Sequence, residues 1–190
     1  GISRSLLASL DSDDAPEVRQ HATILASGLD IFRHLFGYPS ETFIAPNYLI
    51  STRLLPVLHE HGVRAMQGLR VMRQPRSDSR RLRLRMLGRE EHEGIISLVR
   101  NVQFEPTLGA RDGAVGTAIQ AIDHAFSRNR PAIVSTHRVN YMGGIDVGNR
   151  DRSLESLRSL LSTILKRWPS VEFMSSPELV RAIQSESTKR

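Results

Sequence analysis

Short apolar runs alternate along this chain with longer segments that have the periodicity of a helix. A run of eight or fewer residues rich in Val, Ile and Thr is too short for most helices and is typical of a buried strand. We therefore interpret five runs as strands: Thr42–Ala45, Val63–Gln67, Ile95–Val102, Ala132–Thr136 and Val171–Met174.

Helices are predicted between these strands. The first begins after Asp13 or Asp14, has Pro16 in its first turn and ends at Gly37. The second is capped by Ser51, and Pro56 predicts that it is kinked or begins late. The inward-facing positions expected from the spacing of apolar residues are Val18, Ala22, Leu25, Leu29, Phe32 and either Leu35 or Phe36 in the first helix, and Leu54, Leu55 and Leu58 in the second.

The C-terminal third repeats this alternation. A helix from Asp112 carries Val115, Ile119, Ile122 and Phe126 on one face. The next carries a stripe that is expected to cover a sheet, formed by Leu154, Leu157, Leu161, Ile164 and Trp168. Ser175-Ser176-Pro177-Glu178 starts the last helix, and residues 185–190 are predicted to be a frayed tail.

Alternating strands and helices predict an α/β fold, with a parallel sheet covered by helices, in a single domain of residues 1–190. An open doubly wound sheet and part of a βα barrel both fit this pattern. No Gly-rich dinucleotide turn or phosphate-binding loop follows a strand, which removes the main support for nucleotide-binding versions. The spacing of the strands fits a barrel segment at least as well.

Composition adds two constraints. Apolar residues are 39% and charged residues 24% of the chain, no apolar run is long enough to span a membrane, and there is no cysteine. The net charge is +6, and Lys166 and Lys189 are the only lysines, so arginine supplies nearly all of the positive charge.

The densest arginine cluster, residues 70–89, has no aromatic residue to stack on bases, which disfavours nucleic-acid binding. We expect it to be a loop or edge strand with Leu82 and Leu84 facing inward and the arginines in solvent.

Polar and ionisable residues follow the predicted strands, where parallel α/β folds place their chemistry. His137 directly follows an apolar strand and is the candidate general acid or base, and Glu105 is the candidate carboxylate partner. The candidate substrate-binding residues are Asn47, Tyr48, Asn101, Arg138 and Asn140. For the three asparagines, hydrogen bonding to the loop backbone is an equally good explanation. His137 and Glu105 alone are too few ligands for a metal.

The segments STHRVNY, NRD and WPSVEFMSSPEL resemble the C-terminal part of polysaccharide (de)acetylase-like proteins, and GLDIFRHLFGYPSETFIAPNY, HGVRAMQG and LVRNVQFEPT extend the likeness over most of the chain. The resemblance implies the later part of a distorted (β/α)7 barrel and a metal-dependent hydrolase acting on a poly- or oligosaccharide. It also implies that His137 protonates the leaving group. The family's Asp-Asp and His-x-x-x-His metal motifs are absent, and Ile44 stands where the family has an arginine.

These departures lead to three expectations. The chain is expected to be the C-terminal portion of a longer hydrolase, inactive by itself, with a divalent metal such as zinc held by an upstream segment. The alternative is a non-catalytic carbohydrate-binding or scaffold domain. In either case we expect no nucleic-acid partner, no membrane span, and self-association of a chain whose sheet edges lack partners.

Overall fold

The computed structural model describes residues 9–75, 80–108 and 113–187 and divides the chain into two compact units. The first unit comprises Gly1–Val99 and Met174–Arg190, and the second comprises Arg100–Phe173. In the described residues the fold is mixed α/β, with five α-helices, and three of the five strand pairs are parallel. The α/β prediction is therefore confirmed. The prediction of a single domain concerns both units together and stays a prediction.

A four-stranded sheet lies at the centre of the first unit. Its strands are β1 (Thr42–Ile44), β2 (Ala65–Gly68), β5 (Glu90–His92) and β6 (Ile95–Val99). The strand order is β1-β2-β6-β5; the first three are parallel, and β5 is antiparallel to β6. Every residue of β6 is buried, as expected for an interior strand.

Three helices accompany this sheet: α1 (Ala15–Phe36), α2 (Leu55–Glu60) and α5 (Ser176–Ser187). Helix α1 ends at Gly37, whose φ of 76° is the left-handed conformation that glycine adopts without strain. Helix α2 follows a 3-10 turn at Thr52–Leu54, so it begins late, as Pro56 predicts. The predicted inward leucines of this segment, Leu54, Leu55 and Leu58, are all buried in the core of the unit.

The arginine-rich segment differs from the prediction. It contains an antiparallel hairpin, β3 (Val71–Pro75) and β4 (Arg80–Leu84), in which Leu82 and Leu84 are 66% and 55% exposed. Inward placement of these leucines was therefore wrong. Instead, Arg83 and Arg85 turn toward the buried carboxylate of Glu91, at 3.1 and 3.3 Å. A buried carboxylate needs cationic or hydrogen-bonding partners, which accounts for the reversed face. Burial lowers the pKa of Arg85, although Glu91 opposes this shift.

The second unit is built from two short strands and two helices. Strands β7 (Val102–Gln103) and β8 (Val134–Ser135) pair in parallel. Helices α3 (Gly113–Phe126) and α4 (Val147–Arg167) follow the two strands in turn. Their apolar faces form one core with β7 and the residue after it: Val102, Phe104, Ala118, Ile119, Ile122, Leu160 and Ile164. Trp168 packs edge-on against Phe126, with ring centroids 5.1 Å apart.

Three predicted strands need correction. The run 95–102 is divided into β6 and β7, which belong to different units. The run 132–136 is a strand only at Val134–Ser135, and Val134 is 41% exposed rather than buried. The run 171–174 is not a strand. Val171 donates its N–H to the carbonyl of Trp168 in a turn, and Phe173 and Met174 are exposed.

Three helical predictions also change. At the end of α1, Leu35 and Phe36, one of which was expected to face inward, are 69% and 57% exposed. In the stripe predicted for α4, Leu157, Ile164 and Trp168 pack in the core as predicted, whereas Leu154 and Leu161 are 42% and 39% exposed and Ser153 and Leu160 are buried instead. The predicted frayed tail is helical as far as Ser187, and residues 188–190 lie outside the described part of the chain.

The strands of the described residues form one four-stranded and two two-stranded sheets and do not close into a barrel. Within the same residues, no helix combines the length and the apolar character that crossing a bilayer requires.

Candidate active site

The pairing of β7 with β8 brings together two polar segments of the second unit. Gln103 lies opposite Ser135 in the parallel register, and Glu105 and His137 each come two residues later. Because parallel strands end at the same edge, the two side chains emerge side by side. Asn101 links the segments that lead into the two short strands. Its Oδ1 accepts the N–H of Ile133 at 2.7 Å, and its Nδ2 donates to the carbonyl of Pro131 at 2.9 Å.

His137 and Glu105 are in direct contact. The distance from His137 Nδ1 to Glu105 Oε1 is 2.7 Å. The Glu105 side chain is 7% exposed and the His137 side chain 65% exposed, so a buried carboxylate supports an imidazole that faces solvent. A carboxylate that accepts from Nδ1 keeps the proton on that nitrogen. Nε2 is then left to accept a proton or, in the imidazolium form, to donate one.

Asn140 holds the other side of the carboxylate. It is fully buried, and its Nδ2 donates to Glu105 Oε2 at 2.7 Å and to the backbone carbonyl of His137 at 2.9 Å. It lies in the 3-10 turn Arg138–Tyr141, whose first hydrogen bond returns to His137. Each oxygen of Glu105 therefore has its own donor, which satisfies the buried charge and fixes the direction of its hydrogen bond to His137.

The network continues to α4 through two residues that the sequence analysis missed. Thr107 Oγ1 donates to Asn140 Oδ1 at 2.6 Å and lies 3.1 Å from Asn149 Oδ1. Asn149 Nδ2 donates to the carbonyl of Val139, and its backbone N–H is accepted by the N-cap Asp146. Neither side chain is ionisable, so a search for titratable groups passes over them. Their signals in the sequence are the position of Thr107 two residues after Glu105 and that of Asn149 in the NRD segment.

An open cavity of about 970 Å3 adjoins this network. The cavity is lined by residues of the loop after β7, of the turn after β8 and of the first half of α4. Its apolar lining includes Pro106, Val139, Met142 and Ile145. Its volume falls within the ~300–1,000 Å3 typical of small-molecule sites. The lining thus includes Pro106 and Arg138, the residues that follow Glu105 and His137 in the chain, but neither member of the pair itself.

The other predicted site residues differ in their surroundings. Arg138 is exposed and lines the cavity. Both polar ends of Asn101 bind backbone groups, which gives it a structural role, and its predicted contact with substrate stays a prediction. Asn140 is enclosed and positions Glu105 and His137.

Asn47 and Tyr48 belong to the first unit and follow β1 directly. Asn47 is exposed and Tyr48 is half-buried. Both have left-handed backbone conformations, with φ of 49° and 57°, which are uncommon for residues other than glycine and are costly for a tyrosine. Their predicted role in binding substrate stays a prediction.

In the described residues, no three His, Asp or Glu side chains converge on a point where a metal ion could bind. The donor set of this site, one histidine and one carboxylate that bind each other, is too small to hold zinc, and the resemblance places the metal on an upstream segment. No chemical step is therefore assigned to a metal.

Comparison of the chain with protein-family models, curated proteins and solved structures finds no match.

Proposed function

We propose that this chain is part of a carbohydrate-active hydrolase related to the polysaccharide deacetylases, and that His137 is its general acid. The observation that carries the proposal is the 2.7 Å contact between His137 Nδ1 and the buried carboxylate of Glu105. This arrangement supports proton transfer at Nε2, the nitrogen that Glu105 leaves unoccupied. In the same proposal, the chain is the later part of a distorted (β/α)7 barrel.

The reaction would be the hydrolysis of an acetyl group on a sugar. Water gives one proton to a base, which the upstream segment of the full-length protein would supply, and adds to the acetyl carbonyl carbon. The bond from that carbon to the sugar nitrogen or oxygen then breaks, and acetic acid is released and ionises to acetate. The imidazolium of His137 gives its Nε2 proton to the departing atom, which leaves as a neutral amine or hydroxyl. Glu105 stabilises the imidazolium before this transfer and holds the ring in one orientation. Asn140 keeps the Glu105 carboxylate in place.

The turnover of the full-length protein tests this assignment. His137→Ala is expected to lower the rate of acetate release from an acetylated oligosaccharide at least tenfold, since general acid catalysis contributes roughly 10²–10⁴-fold. Glu105→Gln should also lower turnover, because a neutral amide no longer stabilises the imidazolium. His124→Ala is a matched control, since this exposed helix residue contacts Arg128 and lies outside the network. Unchanged turnover in His137→Ala would remove His137 from the mechanism.

A second candidate function is a non-catalytic carbohydrate-binding or scaffold domain. The observation that favours it is Ile44, which stands where the resembled family has an arginine and is 43% exposed at the end of β1. This candidate predicts that the full-length protein binds an oligosaccharide and releases no acetate. Saccharide binding that persists in His137→Ala, with no turnover in the parent protein, would favour it over the hydrolase.

A further inference from the structure

We propose that the cavity beside His137 binds a carboxylate-bearing sugar and that Arg138 is the residue that selects it. This inference rests on the proposed function, because it names the substrate class of the same site. It begins with position: Arg138 lines the cavity of about 970 Å3 and follows His137 directly in the chain. The charge of Arg138 therefore belongs to the wall of the cavity.

The charges in the cavity leave one cation without a partner. The lining contains two acids, and each has an arginine partner: Asp146 lies 3.5 Å from Arg152, and Glu155 lies 2.8 Å from Arg158. Arg138 makes no ion pair and no side-chain hydrogen bond with any described residue. Its guanidinium is thus available to an anionic group that enters the cavity.

The shape of the guanidinium argues for a carboxylate. Its planar fork of N–H donors matches the two oxygens of a carboxylate, and such charge-assisted pairs are shorter and stronger than neutral hydrogen bonds. The apolar side chains of Val139, Met142 and Ile145 line the same cavity and suit the C–H face of a sugar ring. Hence a chain of uronic-acid type would place its ring against these residues and its carboxylate on Arg138. The excess of arginine, with a net charge of +6, also favours the approach of an acidic polymer.

A pair of ligands that differ in charge and in one methyl group per carboxyl tests this inference by binding alone. The ligands are an oligogalacturonide trimer and its methyl ester, titrated by calorimetry into the full-length protein at low ionic strength. We expect the acid to bind about tenfold more tightly than the ester, a difference of about 1.4 kcal/mol at 25 °C, and this preference should weaken as salt is added. Equal affinity for the two ligands would overturn the proposal, as would the absence of binding by either.

Two variants assign the preference to Arg138. Arg138→Gln is expected to bring the two affinities within about twofold of each other while leaving that of the ester unchanged. Arg130→Gln is the control, since Arg130 is an exposed arginine of the same unit that does not line the cavity, and it should keep the tenfold preference. Retention of the preference in Arg138→Gln would overturn the assignment. The outcome is separable from the proposed hydrolysis: acetate release from a neutral acetylated oligosaccharide without any preference for the acid would refute this inference alone.

Discussion

Replacement of Asn140 by alanine is predicted to destabilise the second unit substantially. Asn140 is fully buried, and its side chain donates to the carboxylate of Glu105 at 2.7 Å and to the carbonyl of His137 at 2.9 Å. It also accepts from Thr107 at 2.6 Å. Its removal leaves one oxygen of a buried carboxylate without its donor, and a buried group that loses its partner bears the full cost of its desolvation.

The expected loss follows from these bonds. A hydrogen bond to a charged group contributes about 1.5–3 kcal/mol and a neutral bond about 0.5–1.5 kcal/mol. Thr107 Oγ1 retains Asn149 as a second acceptor at 3.1 Å, whereas the backbone N–H of Thr107 loses Asn140 Oδ1, its acceptor at 3.3 Å. The free energy of unfolding should therefore fall by about 3 kcal/mol. For a chain of this size that corresponds to a fall in Tm of roughly 6–12 °C.

The assay is urea unfolding followed by the fluorescence of Trp168. This is the only tryptophan of the chain and packs against the core of the second unit, so its signal reports on the unit that is perturbed. Asn149→Ala is the matched control, because its side-chain hydrogen bonds are exposed, and it should cost less than about 1 kcal/mol. If the free energy of unfolding falls no further in Asn140→Ala than in Asn149→Ala, at an unchanged m-value, the conclusion that Asn140 stabilises the buried carboxylate is wrong.

Two further predictions concern the first unit. Gly28→Ala should stabilise α1 by about 0.5–1 kcal/mol, since a Cβ there meets nothing within 4 Å, whereas Gly37→Ala should destabilise it by about 1 kcal/mol because φ is 76°. Thermal unfolding followed by circular dichroism measures both, and a stabilising Gly37→Ala would contradict the cap. Hydrogen bonds from Ser175 lower the pKa of Glu178, so its contribution to stability is present above the unfolded pKa and is lost as the pH falls through the lower folded pKa. Glu178→Gln should therefore differ from the parent protein at pH 7 and converge with it in acid, and a constant difference would argue against the capping bond.

The two residues that meet at the candidate site were predictable because they obey a topological rule. Glu105 and His137 each follow a β-rich run, and parallel pairing brings the ends of such runs together. The contact distance and the burial of Glu105 were not predictable. They depend on Asn140 and Thr107, whose positions follow from the turn after β8 and the loop after β7.

Two of the errors concern which face of an element is covered. Apolar spacing does not decide this when partners elsewhere in the chain bury a polar face or a neighbouring apolar residue instead. In β4 and just after it, Arg83 and Arg85 lie at the buried carboxylate of Glu91, and Leu82 is exposed. In α4 the core takes Leu160 in place of Leu161, whereas Leu157, Ile164 and Trp168 pack as predicted. Tertiary partners, which local periodicity does not contain, decided both cases.

The burial of Glu105 also sets a requirement for the design of a ligand for this site. Its two oxygens are occupied by His137 and Asn140, so a basic group built to bind this carboxylate would have to displace a donor from a closed network. The accessible polar groups are the imidazole edge of His137 and the guanidinium of Arg138. A small acidic compound with an acceptor placed to meet both is therefore a better starting point than a cationic one.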